Sequence, residues 1–128
     1  MNNGTSNAIL VVDDDMALRE TLEEILTDQG RHVVTAEDGF DAIEKVNYAP
    51  FYLNFMDIQM PGINGVETFL RIKQIQPEAV VVMMTGFAVE DLIKQAVSEG
   101  AHTVLHKPLS VEQLLEIVEQ VIPMKITS

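Results

Sequence analysis

The sequence predicts an α/β protein, one doubly wound sandwich in which five parallel strands alternate with five helices. Three observations carry that prediction. Short apolar or β-branched runs alternate five times with longer segments of helical period. The clearest of these runs, Ile9-Leu10-Val11-Val12 and Ala79-Val80-Val81-Val82-Met83-Met84, are apolar throughout rather than at every second residue, as in strands covered on both faces. The length of 128 residues, with 47% hydrophobic content, fits one domain with a core of its own. Right-handed crossovers then place helices on both sides of a parallel sheet.

The elements follow in order. Ala8–Val12 reads as the first strand. Leu18, Leu22, Ile25 and Leu26 recur at helical spacing and make one apolar face of a helix ending near Gly30. His32–Ala36 is the second strand. Glu37-Asp38-Gly39 reads as a helix start, with Phe40, Ile43 and Val46 carrying the second helix. Phe51–Met56 is the third strand, ahead of the breaker Pro61-Gly62. Val66, Phe69 and Leu70 mark the third helix, closed by Pro77. Ala79–Met84 is the fourth strand, and Leu92, Ile93, Ala96 and Val97 the fourth helix, stopped by Gly100. Thr103–Leu105 is the fifth strand. Ser110 with Gln113 three residues on has the capping-box pattern, and Leu114, Leu115, Val118, Val121 and Ile122 form the buried face of a helix that Pro123 ends. The domain is expected over residues 8–122, with an N-terminal tail at 1–7 and a C-terminal tail or the start of a linker at 123–128.

Composition removes several function classes. The net charge of −12, from 20 acids and 8 bases, argues against direct nucleic-acid binding, which rests on Lys and Arg neutralising phosphates, and against anionic membrane surfaces. With no cysteine, disulfides and thiolate chemistry are excluded. No apolar run approaches the roughly 18 residues of a membrane span, and the polar start lacks the features of a signal peptide, so a cytoplasmic location is expected.

Ligands of doubly wound sheets bind outside the carboxyl ends of the strands. Asp13, Asp14 and Asp15 follow the first strand, Asp57 the third, Thr85 and Gly86 the fourth, Lys107 and Pro108 the fifth. Like charges ~4 Å apart repel by about 4 kcal/mol at an effective dielectric near 20, so something must offset the clustered acids. Hard oxygen ligands of this kind suit Mg²⁺. No His or Cys stands among them, which argues against zinc. His32, His102 and His106 read as surface residues. Lys107, at the end of a buried strand, needs a carboxylate or phosphoryl partner. Acids, Mg²⁺, a lysine and the Thr85 hydroxyl together make a phosphoryl-transfer site in which one carboxylate can be the nucleophile. Asp15 stands apart from the other two: just before the first helix, its side chain can cap the first amides.

Asp13-Asp14, the string "MDIQMPGINGVE" around Asp57, "MMTG" with Thr85 and "LHKPL" with Lys107 resemble the receiver domain of two-component response regulators, over about residues 8 to 122. The resemblance implies the flavodoxin-like strand order 2-1-3-4-5, an order that one member of that family exemplifies. It implies that Asp57 accepts a phosphoryl group from a histidine kinase or histidine phosphotransfer protein. It also implies that Asp14, Asp57 and the Gln59 carbonyl bind Mg²⁺ directly, that Asp13 does so through water, and that Lys107 pairs with Asp57. Thr85 would move to the phosphoryl oxygen and pass a conformational signal to an output domain or effector. Gly86, Phe87 and Pro108 would neighbour the phosphate pocket, with Phe87 overhanging it.

The sequence also departs from the family pattern. Val104 stands where an aromatic switch residue is common, so the signal is expected to pass through backbone or fourth-helix movement instead. Leu109 replaces a common Phe. Asn54 places an amide within a central strand. The fifth helix carries Glu112, Glu116 and Glu119 and no base, so a symmetric dimer salt-bridged through its own cations is not expected. Among competing readings, Asp13-x-Asp15 resembles the nucleophile loop of haloacid-dehalogenase-type phosphatases, but Ala17 departs from that loop and no second acidic motif of that kind follows Lys107. An interaction module with a vestigial site conflicts with the complete acid–Thr–Lys set. A flavin carrier would need a phosphate-binding loop where the acids stand.

Overall fold

The computed structural model describes residues 8–86 and 89–124. The elements are β1 (Ile9–Val12), α1 (Met16–Asp28), β2 (Val33–Ala36), α2 (Gly39–Tyr48), β3 (Leu53–Asp57), α3 (Gly65–Ile75), β4 (Val80–Thr85), α4 (Glu90–Ser98), β5 (Thr103–His106) and α5 (Val111–Val121). The five strands form one parallel sheet in the order β2-β1-β3-β4-β5, as the resemblance implied. The strand order reverses at β1, which has β2 on one side and β3 on the other. The crevice at their carboxyl ends is the ligand position of such a sheet.

The apolar runs are explained by burial on two faces. Leu10, Val12, Met56, Val81 and Met83 pack toward α2, α3 and α4, while Ile9, Val11, Leu53, Phe55, Val82 and Met84 pack toward α1 and α5. All four β1 residues are 0% exposed, so neither face of that strand tolerates a polar side chain. Each such side chain contributes about 1.5–3 kcal/mol by leaving water, and Phe55→Ala would cost about 3–5 kcal/mol.

Helix ends follow the local chemistry. Asp15, Asp38, Asn64 and Ser110 each accept a backbone N–H at the start of α1, α2, α3 and α5. Gly30 at φ +79 and Gly100 at φ +102 end α1 and α4 in the left-handed conformation that glycine adopts without strain. Arg31 ties the far end of the fold together. Its Nη1 donates to the Ile122 carbonyl at 2.6 Å and its Nη2 pairs with Glu119 at 3.0 Å.

Several sequence expectations are corrected. Strands β3, β4 and β5 extend to Asp57, Thr85 and His106, while β3 begins at Leu53 rather than Phe51. Phe51 stays buried outside the strand, its amide donating to Gln76 Oε1 at 3.1 Å. Phe40 and Val97 lie within α2 and α4 as the helical spacing predicts, yet are 55% and 56% exposed. On α2 the buried residues are Gly39, Ala42 and Val46. At Gly39 a Cβ would lie 2.2 Å from Thr68 Oγ1, so the start of α2 closes onto α3 and leaves Phe40 outside, over Gly62. Ile117 joins the buried face of α5. Asn54 finds acceptors for its amide nitrogen in the Phe51 and Val80 carbonyls at 3.0 and 3.3 Å, whereas its buried Oδ1 has no partner among the described residues.

Candidate functional site

Asp13 directly follows β1 and its amide donates to the Ala36 carbonyl of β2 at 3.2 Å. The residue is fully buried. Both carboxylate oxygens are engaged: Oδ1 accepts the Asp15 amide at 2.9 Å and Oδ2 accepts Lys107 Nζ at 2.7 Å. Asp14 is exposed at the rim. Asp15 turns away as the N-cap of α1, accepting the amides of Ala17 and Leu18 at 3.0 and 3.3 Å.

Asp57 ends β3 and is 6% exposed. Its Oδ1 accepts the exposed Gln59 amide at 3.4 Å, and its Oδ2 accepts Lys107 Nζ at 3.4 Å. The glycine of the Asp-x-x-Met-Pro-x-x-x-Gly string has a steric reason. A Cβ at Gly65 would lie 2.1 Å from the Asp57 carbonyl oxygen, so only glycine lets the start of α3 press against this backbone, where Gly65 N donates to the Ile58 carbonyl at 2.7 Å.

Lys107 follows β5 and its amide donates to the Thr85 carbonyl at 2.8 Å, which aligns the ends of β4 and β5. Thr85 is buried. The lysine stem passes over Gly86, where a Cβ would sit 3.6 Å from Lys107 Cδ. Pro108, joined to Lys107 by a cis peptide bond, is exposed. Val104, half-buried, lies opposite Met83 and packs with the cluster beneath α2, α3 and α4. Phe87 lies outside the described residues.

The fold thus brings Asp13, Asp14, Asp57 and Lys107 together at one sheet edge, with Thr85 at the adjoining strand end. Burial pushes the Asp57 carboxyl up to about 6, with the Asp13 charge adding to the rise and Lys107 and the Gln59 amide opposing it. Burial of the Lys107 ammonium pulls its pKa down, but the Asp13 hydrogen bond and the charges of both aspartates outweigh this and raise it above the ordinary lysine value. Lys107 Nζ pairs with both carboxylates, with Asp57 Oδ2 at 3.4 Å and more closely with Asp13 Oδ2 at 2.7 Å.

The site fits a small hard cation. Carboxylate oxygens of Asp13, Asp14 and Asp57 lie within 4.8 Å of one another, and an oxygen-only donor set with an exposed rim for waters suits Mg²⁺. One contributor was missed by sequence reasoning. Arg19 Nη1 donates to the backbone carbonyl of Asp13 at 2.6 Å. The available signal was that Arg19 is the only base before Arg31.

Comparison with known proteins agrees with this geometry. The chain matches the response regulator receiver domain family over residues 9–119. The transcriptional regulatory protein ZraR of Klebsiella oxytoca is 37% identical over 112 residues, covering 88% of this chain but 25% of that protein. The chemotaxis protein CheY of Treponema pallidum is 34% identical over 123 residues, covering 94% of this chain and 85% of that one. Among solved structures, the receiver domain of NtrX from Brucella abortus superposes with a TM-score of 0.83 at 31% identity, covering 91% of this chain and 99% of that chain.

Proposed function

From the premise that this chain belongs to the response regulator receiver domain family, the phosphoacceptor domains of two-component signalling, we propose that Asp57 is its phosphoacceptor. The convergence of three carboxylates and Lys107 at the carboxyl edge of β1, β3 and β5 carries this reading. Asp57 is the nucleophile: a carboxylate oxygen attacks phosphorus, the bond from phosphorus to the donor histidine nitrogen breaks, and an acyl phosphate forms. With its carboxyl at about 6, Asp57 is largely ionised at neutral pH and competent to attack. Asp13, Asp14, Asp57 and the Gln59 carbonyl are the groups that would hold Mg²⁺, whose charge offsets that of the phosphoryl oxygens. Lys107 provides a second cation within reach of Asp57.

Thr85, at the end of β4, offers its hydroxyl to the phosphoryl group and couples the chemistry to the segment leading into α4. Among the described residues that helix buries only Ala96 and has no side-chain cap at its start, which supports its moving with Val104 in place of an aromatic switch. The donor is a histidine kinase or histidine phosphotransfer protein, and the receiver of the signal is an output domain or effector. The domain catalyses only its own phosphorylation and dephosphorylation. A cytoplasmic setting suits these partners, and among the described residues no helix is long and apolar enough to cross a membrane.

On α5, Glu112 and Glu116 are exposed and Glu119 pairs with Arg31 of the same chain, which supports the expectation that this helix offers no cation to a symmetric partner. The phosphatase alternative is not favoured, since the Asp15 side chain is committed to capping α1. Beryllofluoride, a stable phosphoryl mimic, tests the assignment by NMR. With Mg²⁺ it should shift the amides around Asp57, Thr85 and Lys107 in the wild type and not in Asp57→Asn. An identical response in the variant would refute it.

A further inference from the structure

Asp13 is fixed from several directions. Its amide donates to Ala36 of β2, its Oδ1 accepts the Asp15 amide, and its Oδ2 accepts Lys107. Its carbonyl lies beyond the last β1 residue and accepts a bond from Arg19, one turn into α1, at 2.6 Å. That bond differs from the others in what it controls. It holds the plane of the peptide joining Asp13 to Asp14. The Asp14 carboxylate accepts no hydrogen bond among the described residues, so within the fold only its backbone is held in place.

We propose that Arg19 is a positioning residue of this site: by gripping the Asp13 carbonyl, it sets the Asp13–Asp14 peptide and so holds both aspartates where their carboxylates reach Asp57. The guanidinium suits this task because its planar fork reaches a fixed carbonyl with little loss of freedom, whereas an ammonium on a flexible stem aims less sharply. The competing account is charge alone, in which Arg19 merely offsets the surrounding acids. The two accounts differ in sign. A nearby cation repels Mg²⁺, so a pure charge role predicts that removing it tightens metal binding. A positioning role predicts the reverse, since groups that orient metal ligands typically alter affinity by 10–100-fold when lost.

The inference about Mg²⁺ rests on the metal reading above, and the experiment separates the two. Wild type, Arg19→Met and Arg19→Lys are titrated with Mg²⁺ alone by NMR, after melting curves establish that each is folded at the titration temperature. The expected result is Mg²⁺ affinity about tenfold weaker in Arg19→Met, with Arg19→Lys recovering part of the loss. In metal-free buffer the Asp15 amide, which donates to Asp13 Oδ1, should exchange several-fold faster in Arg19→Met. Unchanged or tighter Mg²⁺ binding in Arg19→Met overturns the proposal, as does unchanged exchange at Asp15. If wild type itself shows no Mg²⁺ response, the metal reading fails instead, and exchange at Asp15 alone decides whether Arg19 positions Asp13.

Discussion

Asp57→Asn should make the protein more stable while abolishing its chemistry. The Asp57 carboxyl is raised from 3.8 to about 6, mainly by burial and secondarily by the Asp13 charge. The native state therefore holds a proton more tightly than the unfolded chain does. Between pH 4 and 6 the native state binds more protons, so stability is fully present below the unfolded value and is lost as pH rises through about 6. A shift of about two units at roughly 1.4 kcal/mol each sets an upper limit near 3 kcal/mol on the penalty at neutral pH. Asparagine removes the charge and keeps the shape, but forfeits the attraction to Lys107, so a net gain of about 1–3 kcal/mol is expected. Urea unfolding in EDTA at pH 7.5 and at pH 4 measures it. The variant should be more stable at pH 7.5, and the gap should close at pH 4. Equal stability at pH 7.5, or a gap independent of pH, would refute the electrostatic reasoning.

Three further outcomes follow from the geometry. Gly65→Ala should destabilise by about 1–3 kcal/mol, because its Cβ would meet the Asp57 carbonyl at 2.1 Å, whereas Gly86→Ala, at 3.6 Å from the lysine stem, should be tolerated; thermal melting of the pair tests this. The Gly65 substitution should also slow phosphorylation by acetyl phosphate, since the backbone carrying Asp57 must shift. Asp15→Ala should cost about 1 kcal/mol through loss of the α1 cap yet leave phosphorylation of Asp57 intact, and loss of phosphorylation would place Asp15 in the chemistry instead.

Much of this was legible in the sequence because strand burial and sheet topology act together. The uniformly apolar runs announced strands covered on both faces, and the topology rule then placed Asp13, Asp14, Asp57, Thr85 and Lys107 on one edge. The order of strands came from the family resemblance, since alternation alone does not choose it. The exposure of Phe40 and Val97 was not legible, because helical spacing counts apolar residues without knowing how closely helices approach. Gly39 brings α2 onto α3 and leaves Phe40 outside. Lys107 was legible as a cation near carboxylates, but the shorter of its two bonds, to Asp13, is set by geometry that spacing in the sequence does not carry. Arg19 stood out only as the sole base before Arg31; its role was not legible, because its partner is a backbone carbonyl, which carries no signature in the sequence.

The most direct test of the central claim is intact-mass analysis after incubation with acetyl phosphate, with and without Mg²⁺, in wild type and Asp57→Asn. The account predicts a single phosphoryl adduct on wild type that requires Mg²⁺, is removed by hydroxylamine as an acyl phosphate must be, and is absent from the variant. An adduct that persists in Asp57→Asn, or that forms equally well without Mg²⁺, would contradict it.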